Sequence, residues 1–160
     1  MSAADLNVAS ILKILVQHQV NFLIVGGVNA LMLGAPVMTF YLDVVHERTA
    51  ENIERLFAAL TALDAKYRQR PDVRPNASHL VGVGHQLLAT KYGPLDVLGT
   101  IGSGRGYAEL VAHSQAEEAE PGLIVKMLTA ETLLEEKLVM RRTKDLTSIA
   151  WLQEIIRRKG

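Results

Sequence analysis

An α/β fold is predicted by three features of this 160-residue chain: short apolar runs that stop at glycine or are interrupted by a lone aspartate, amphipathic segments of helical period between them, and a C-terminal stretch that reads as a helical pair. The first element is a helix, because Val8, Ile11, Leu12, Leu15 and Val16 recur at helical spacing. Phe22-Leu23-Ile24-Val25 is then a short buried strand that ends at Gly26-Gly27, and Val28–Leu33 is a small-residue helix closed by Gly34 and Pro36. A second strand is expected at about Tyr41–His46.

Thr49 is placed to cap a helix with Ile53, Leu56, Phe57, Leu60 and Leu63 inward and Glu51, Asn52 and Arg55 outward. The polar stretch Tyr67–Ser78, with Pro71 and Pro75, reads as a surface loop. Two strands follow near His85–Lys91 and Leu95–Gly99, with Gly93-Pro94 as the hairpin turn. A short helix is expected around Tyr107–Ala112, an acidic loop over Gln115–Pro121 and a final strand at Leu123–Leu128. Thr129 then caps a helix to about Arg142, and Asp145 begins a last one with Ile149, Leu152 and Ile156 inward.

Composition narrows the function classes. Nearly half the residues are hydrophobic and Lys+Arg balance Asp+Glu at 17 each, which describes one globular domain over residues 1–160 with no general basic field for nucleic acid. An RNA partner is neither supported nor excluded. With no cysteine, disulfides and thiolate metal sites are excluded, and any metal must use Asp, Glu or His. Asp5, Asn7, Lys13 and Gln17 break up the N-terminal stretch in a way a signal peptide does not allow, and no run is long enough to span a bilayer. The expectation is a cytoplasmic protein without a membrane partner.

Asp43 and Asp96 interrupt the runs Tyr41–Val45 and Pro94–Leu98, although Asp is disfavoured inside strands. On neighbouring strands the two carboxylates would converge on a divalent cation; alternatively each marks a strand end or bonds a nearby turn. Gly26-Gly27, between a strand and a helix start, suits a phosphate, or else is a tight turn with no ligand. Gly102–Gly106 lacks the ending of a phosphate loop and reads as a flexible turn. Lys137 falls beside an apolar helix face, the usual place for a snorkelling lysine, and gains a phosphate-binding role only if its helix borders the same cleft. Arg142, Lys144 and Asp145 read as a solvated link between helices. The five histidines show no metal-binding spacing, and no hydrolase nucleophile motif is present.

Together, the strand ending at Gly26-Gly27, the strand with Asp43 and the later strand with Asp96 resemble the nucleotidyltransferase superfamily, with its DNA polymerase β-like fold, and particularly the AbiEii-like and minimal bacterial groups. Thirteen residues separate Gly27 from Tyr41-Leu42-Asp43, Thr39 matches the threonine that often precedes the family's Asp-x-Asp pair, and Lys137, Arg141, Lys144 and Asp145 look like its C-terminal K-x(n)-R-x-K-D stretch. The resemblance implies a small mixed β-sheet flanked by helices, NTP as substrate or ligand, and Mg²⁺. It also implies catalytic and metal-binding roles for Asp43 and Asp96, nucleotide contacts from Gly26, Gly27, Thr39 and Lys137, and NMP transfer to a hydroxyl of RNA, a protein or a small molecule.

Two departures stand out. Tyr41 occupies the first aspartate position of the pair, and Val37 a place where related chains often carry arginine. Residues two apart on a strand share a face roughly 7 Å apart, so an Asp-x-Asp pair clamps two metal ions about 4 Å from each other. A phenol stays protonated near neutral pH and replaces that ligand poorly. Either Tyr41 is tolerated or replaced by another carboxylate such as Glu47, or the chain is a nucleotide-binding, antitoxin-like or regulatory module with a toxin–antitoxin partner.

Overall fold

The computed structural model describes residues 5–159. Its elements run α1 (Val8–Gln17), β1 (Phe22–Val25), α2 (Gly26–Met32), β2 (Leu42–His46), α3 (Ala50–Ala62), β3 (Lys66–Tyr67), α4 (Ala77–Leu80), β4 (His85–Thr90), β5 (Gly93–Leu98), α5 (Tyr107–Leu110), β6 (Ser114–Glu120), β7 (Leu123–Leu128), α6 (Ala130–Met140) and α7 (Leu146–Lys159). The strands form one seven-stranded mixed sheet in the order β3-β4-β5-β2-β1-β7-β6. β2 pairs parallel with β5 and antiparallel with β1, and β1 pairs parallel with β7. No described helix is long and apolar enough to cross a membrane.

Strand alternation divides the core. Ile24, Leu42, Val44, Leu95, Val97, Val125 and Met127 pack in one cluster with the buried faces of α1 and α3. Leu23, Val25, Val45, Leu98 and Leu128 pack in a second with Ala130 and Leu133 of α6 and Leu152 of α7. Asn29 of α2 is fully buried; its Nδ2 donates to Leu128 O at 3.1 Å and its Oδ1 accepts from Leu128 N at 3.2 Å, which ties α2 to the end of β7.

Local chemistry sets the boundaries. Thr49 Oγ1 accepts from Asn52 N and Thr129 Oγ1 from Thr132 N, so both expected caps are made. α2 begins at Gly26 rather than Val28, and Gly34, with φ +96, follows its end. The hairpin turn lies at Lys91-Tyr92, two residues before its expected place, because Thr90 and Gly93 pair across it and Pro94 already belongs to β5. Gly93 adopts φ +108, and a side chain there would meet the backbone of Leu6, which passes alongside.

Four further expectations are corrected. Gln115–Pro121 is not a loop: Ser114–Glu120 pairs antiparallel with β7 as an edge strand, and its three glutamates, of which Glu118 is exposed, give it the composition of a loop. The polar stretch Tyr67–Ser78 contains the end of β3 and the start of α4, which Asn76 caps. In α3, Asn52 is buried rather than outward, with Oδ1 accepting from Asn21 N and Nδ2 donating to Asn21 O and Glu47 O. Phe57 is 40% exposed because the buried stripe spans Asn52, Ile53, Leu56, Ala59 and Leu60, and Phe57 falls about 40° beyond Ile53 on a helix of 3.6 residues per turn.

Candidate functional site

The topology brings the two strand aspartates together. β2 and β5 are parallel neighbours with Asp43 opposite Asp96 in register, and both side chains project from the sheet face that carries Val45 and Leu98. On the other side of β2, Val25 lies opposite Asp43, so the chain leaves β1 and turns into α2 beside that carboxylate. Gly26 makes this turn with φ +68, and a Cβ there would collide with Asp43 Oδ2. Glycine is therefore demanded twice, by the backbone conformation and by the carboxylate.

A cleft of about 350 Å³ opens here, lined by Gly26, Tyr41, Asp43, Asp96, Lys137 and Lys144 among others. Its volume falls in the range of small-molecule sites. Gly27 and Thr39 stand one layer back: the Thr39 hydroxyl packs against the Gly27 Cα and donates to Tyr41 O at 3.0 Å, so Thr39 fixes the entry to β2. Lys137 borders the cleft but is 5% exposed, and its Nζ donates to Asp145 Oδ1 at 3.0 Å. Asp145, expected in a solvated link, is buried and also accepts from Arg142 Nε at 2.9 Å. Glu47, the alternative carboxylate, bonds Asn21 and Thr49 and is not among the residues lining the cleft.

Electrostatics single out Asp43. Burial first, then repulsion from Asp96 and a hydrogen bond between the two carboxyls, push its pKa up to about 7 against the opposing charges of Lys144 and Arg142. Its Oδ1 is buried without a hydrogen-bond partner. A polar atom in that condition is costly unless something meets it. Asp96 is tied down differently: Arg68 Nη1 donates to its Oδ1 at 2.6 Å and to Leu88 O at 2.8 Å, while the guanidinium stacks over the Tyr41 ring at 4.7 Å.

Among the described residues no third Asp, Glu or His joins this pair. A second metal ion of the two-metal kind has no carboxylate at Tyr41 to hold it, and Arg68 already sits there as a fixed cation. The orphaned Asp43 Oδ1 beside Asp96 does fit one hard divalent cation, since Mg²⁺ takes one or two protein carboxylates and completes its shell with water or phosphate. Arg68 was overlooked in the sequence because it lies in a polar stretch 28 residues from Asp96. Arg142 and Lys144 read from sequence as part of a solvated link between helices, and the fold shows both lining the cleft.

Gly26→Ala is expected to lower stability by about 1–3 kcal/mol, through left-handed strain and the clash with Asp43, which for a chain of this size lowers the Tm by roughly 3–10 °C. Thermal melting checks this, and an unchanged Tm would contradict the packing described.

No family model matches the chain, and no curated protein matches it in sequence. Among solved structures it is similar to the crystal structure of a Thermotoga maritima protein described as a candidate nucleotidyltransferase, with a TM-score of 0.57, 16% identity, and coverage of 91% of this chain and 90% of that one. At that identity the similarity concerns the fold, and the nucleotidyltransferase fold is the architecture of this chain.

Proposed function

We propose that the cleft binds a nucleoside triphosphate with Mg²⁺ and that its chemistry is transfer of NMP to a hydroxyl acceptor on RNA, a protein or a small molecule. The observation that carries this reading is the in-register Asp43–Asp96 pair, in which Asp43 packs against Gly26 through Oδ2 and keeps Oδ1 buried and unpartnered. In the reaction the acceptor hydroxyl gives up its proton to solvent as its oxygen attacks the α-phosphorus, the bond from the α-phosphorus to the bridging oxygen of the β-phosphate breaks, and pyrophosphate leaves with that oxygen and its charge. Asp43 and Asp96 would hold the cation, which when bound stabilises the charge that develops on the phosphates. Gly26 gives the triphosphate close access to backbone, with Gly27 and Thr39 shaping the turn behind it. Lys144 and Arg142 at the rim offset its negative charge, while Lys137 orients Arg142 indirectly through the shared Asp145.

Tyr41 and Arg68 favour a second reading, in which the chain binds nucleotide with little turnover as an AbiEii-like regulatory or antitoxin-like module alongside a toxin–antitoxin partner. Calorimetric titration with each NTP, with and without Mg²⁺, tests the shared part. Binding that requires Mg²⁺ and is lost in Asp43→Asn is expected; binding indifferent to both would overturn the proposal. Turnover separates the readings: if transfer by the unaltered chain is near background, Tyr41→Asp is expected to raise NMP transfer at least about tenfold, which corresponds to about 1.4 kcal/mol of barrier.

A further inference from the structure

We infer that the guanidinium of Arg68 takes the place of the second cation of a two-metal site, so that this cleft accepts one divalent cation with its nucleotide and meets the remaining phosphate charge with arginine. The inference rests on the reading of the cleft as a triphosphate site.

Tyr41, immediately before β2, and Asp43 lie two residues apart and both line the cleft, so the ring occupies the position from which a second carboxylate would reach it. Arg68 covers that position. Three contacts fix it: Nη1 to Leu88 O, Nη1 to Asp96 Oδ1, and the stack on Tyr41. Its backbone N also donates to Leu87 O at 3.0 Å, so the residue is anchored to β4 at both ends. The side chain is 24% exposed, enough for a ligand to reach it and too little for it to swing freely.

The exchange is chemically consistent. An electron-rich phenol ring is a poor metal ligand and a good face for a guanidinium, so the tyrosine that removes a metal ligand also builds the seat for an organic cation. Arginine cannot lose its proton at physiological pH, so the charge it supplies is permanent. A second divalent ion would meet that charge at close range with one oxygen of Asp96 already engaged. Both side-chain hydrogen bonds use Nη1, and Nε and Nη2 donate to no group among the described residues, which leaves that edge of the fork for a phosphate oxygen.

The test counts bound Mn²⁺ per chain by electron paramagnetic resonance, with saturating α,β-methylene-ATP, in the unaltered chain, Arg68→Gln, Arg68→Lys and Tyr41→Asp/Arg68→Gln, with melting curves to confirm folding. One Mn²⁺ is expected in the unaltered chain and two in the double variant. Arg68→Gln is expected to weaken analogue binding by about tenfold to a hundredfold, the loss of one charged hydrogen-bonding partner, with Arg68→Lys in between. Two Mn²⁺ in the unaltered chain, or an Arg68→Gln variant unchanged in affinity, would overturn the assignment while leaving the nucleotide site standing. No analogue binding by the unaltered chain would overturn both.

Discussion

Asp43→Asn is expected to raise the stability of the protein at pH 8 by about 2–4 kcal/mol while abolishing Mg²⁺-dependent nucleotide binding. The folded protein holds the Asp43 carboxyl to a pKa of about 7 against an ordinary value of 3.8, through burial first and then the neighbouring Asp96. Below about pH 4 the group is protonated in the folded and unfolded chain alike, and the substitution changes little. Between about pH 4 and 7 the unfolded chain releases the proton and the folded chain keeps it, so stability falls as pH rises, and above pH 7 the full penalty is present. Three pKa units correspond to about 4 kcal/mol, an upper bound because the surroundings relax around a charge. The groups that face Asp43 set this balance: Asp96 against it, with Lys144 and Arg142 for it. An uncharged isostere removes the penalty. Calorimetric melting of both proteins at pH 5 and pH 8 checks the sign, with a gain of roughly 5–15 °C at pH 8 and a smaller one at pH 5. Equal or lower stability of Asp43→Asn at pH 8 would contradict the electrostatic picture. A stabilising change that removes the binding group is the mark of a functional rather than a structural carboxylate.

Lys137→Met is expected to do the opposite and cost about 2–4 kcal/mol. Nζ and Asp145 Oδ1 are 3.0 Å apart with both side chains 6% exposed, so removal of the lysine leaves a buried carboxylate with only the partly exposed Arg142 for compensation. Burial on its own would raise the Asp145 pKa, yet Lys137 and Arg142 hold it below the usual carboxylate range. The pair therefore stabilises the fold above the ordinary carboxylate pKa, and that contribution fades as pH falls through the depressed value. Methionine keeps most of the volume, which assigns the loss to charge rather than packing. Lys137→Met/Asp145→Leu is expected to recover most of it, since no uncompensated charge remains. Thermal melts of the single and double variants check this, and a double variant no more stable than the single one would contradict the ion-pair account. Because Asp145 also orients Arg142 at the cleft, Lys137→Met is expected to weaken nucleotide binding only modestly.

Much of the fold was legible from local chemistry. Thr49 and Thr129 announced their helices because a cap is a matter of three residues, and Phe22–Val25 announced β1 because four apolar residues meeting two glycines have few other uses. The edge strand β6 was not legible, since strands that face water on an outer edge carry the charges of a loop. Likewise Phe57 fell just off a stripe whose centre was correctly read, and Asn52 was hidden because its partners, Asn21 and Glu47, come from a separate segment.

The site divides the same way. Asp43 and Asp96 stood out as carboxylates inside apolar runs, a local anomaly. Their register across β2 and β5 is not local, and neither is Arg68, which reaches Asp96 and Tyr41 only because β3 and β4 pair beside β5. Tyr41 read from sequence is the loss of a ligand; with Arg68 stacked on it, the same residue is half of a replacement. Lys137, expected at a phosphate, lines the cleft beside Arg142 and Lys144 and pairs with Asp145, a partner that only the fold brings to it.

The most direct test of the nucleotide site is a backbone amide NMR spectrum of the protein titrated with Mn²⁺ and a non-hydrolysable NTP analogue, in which the paramagnetic ion erases signals from residues nearest to it. Loss of the Gly26, Asp43 and Asp96 amides ahead of all others, and their persistence in Asp43→Asn, is the result predicted. Signal loss centred instead on the separate groove lined by Val16, Asn21 and Ile124, or no selective loss at all, would contradict it.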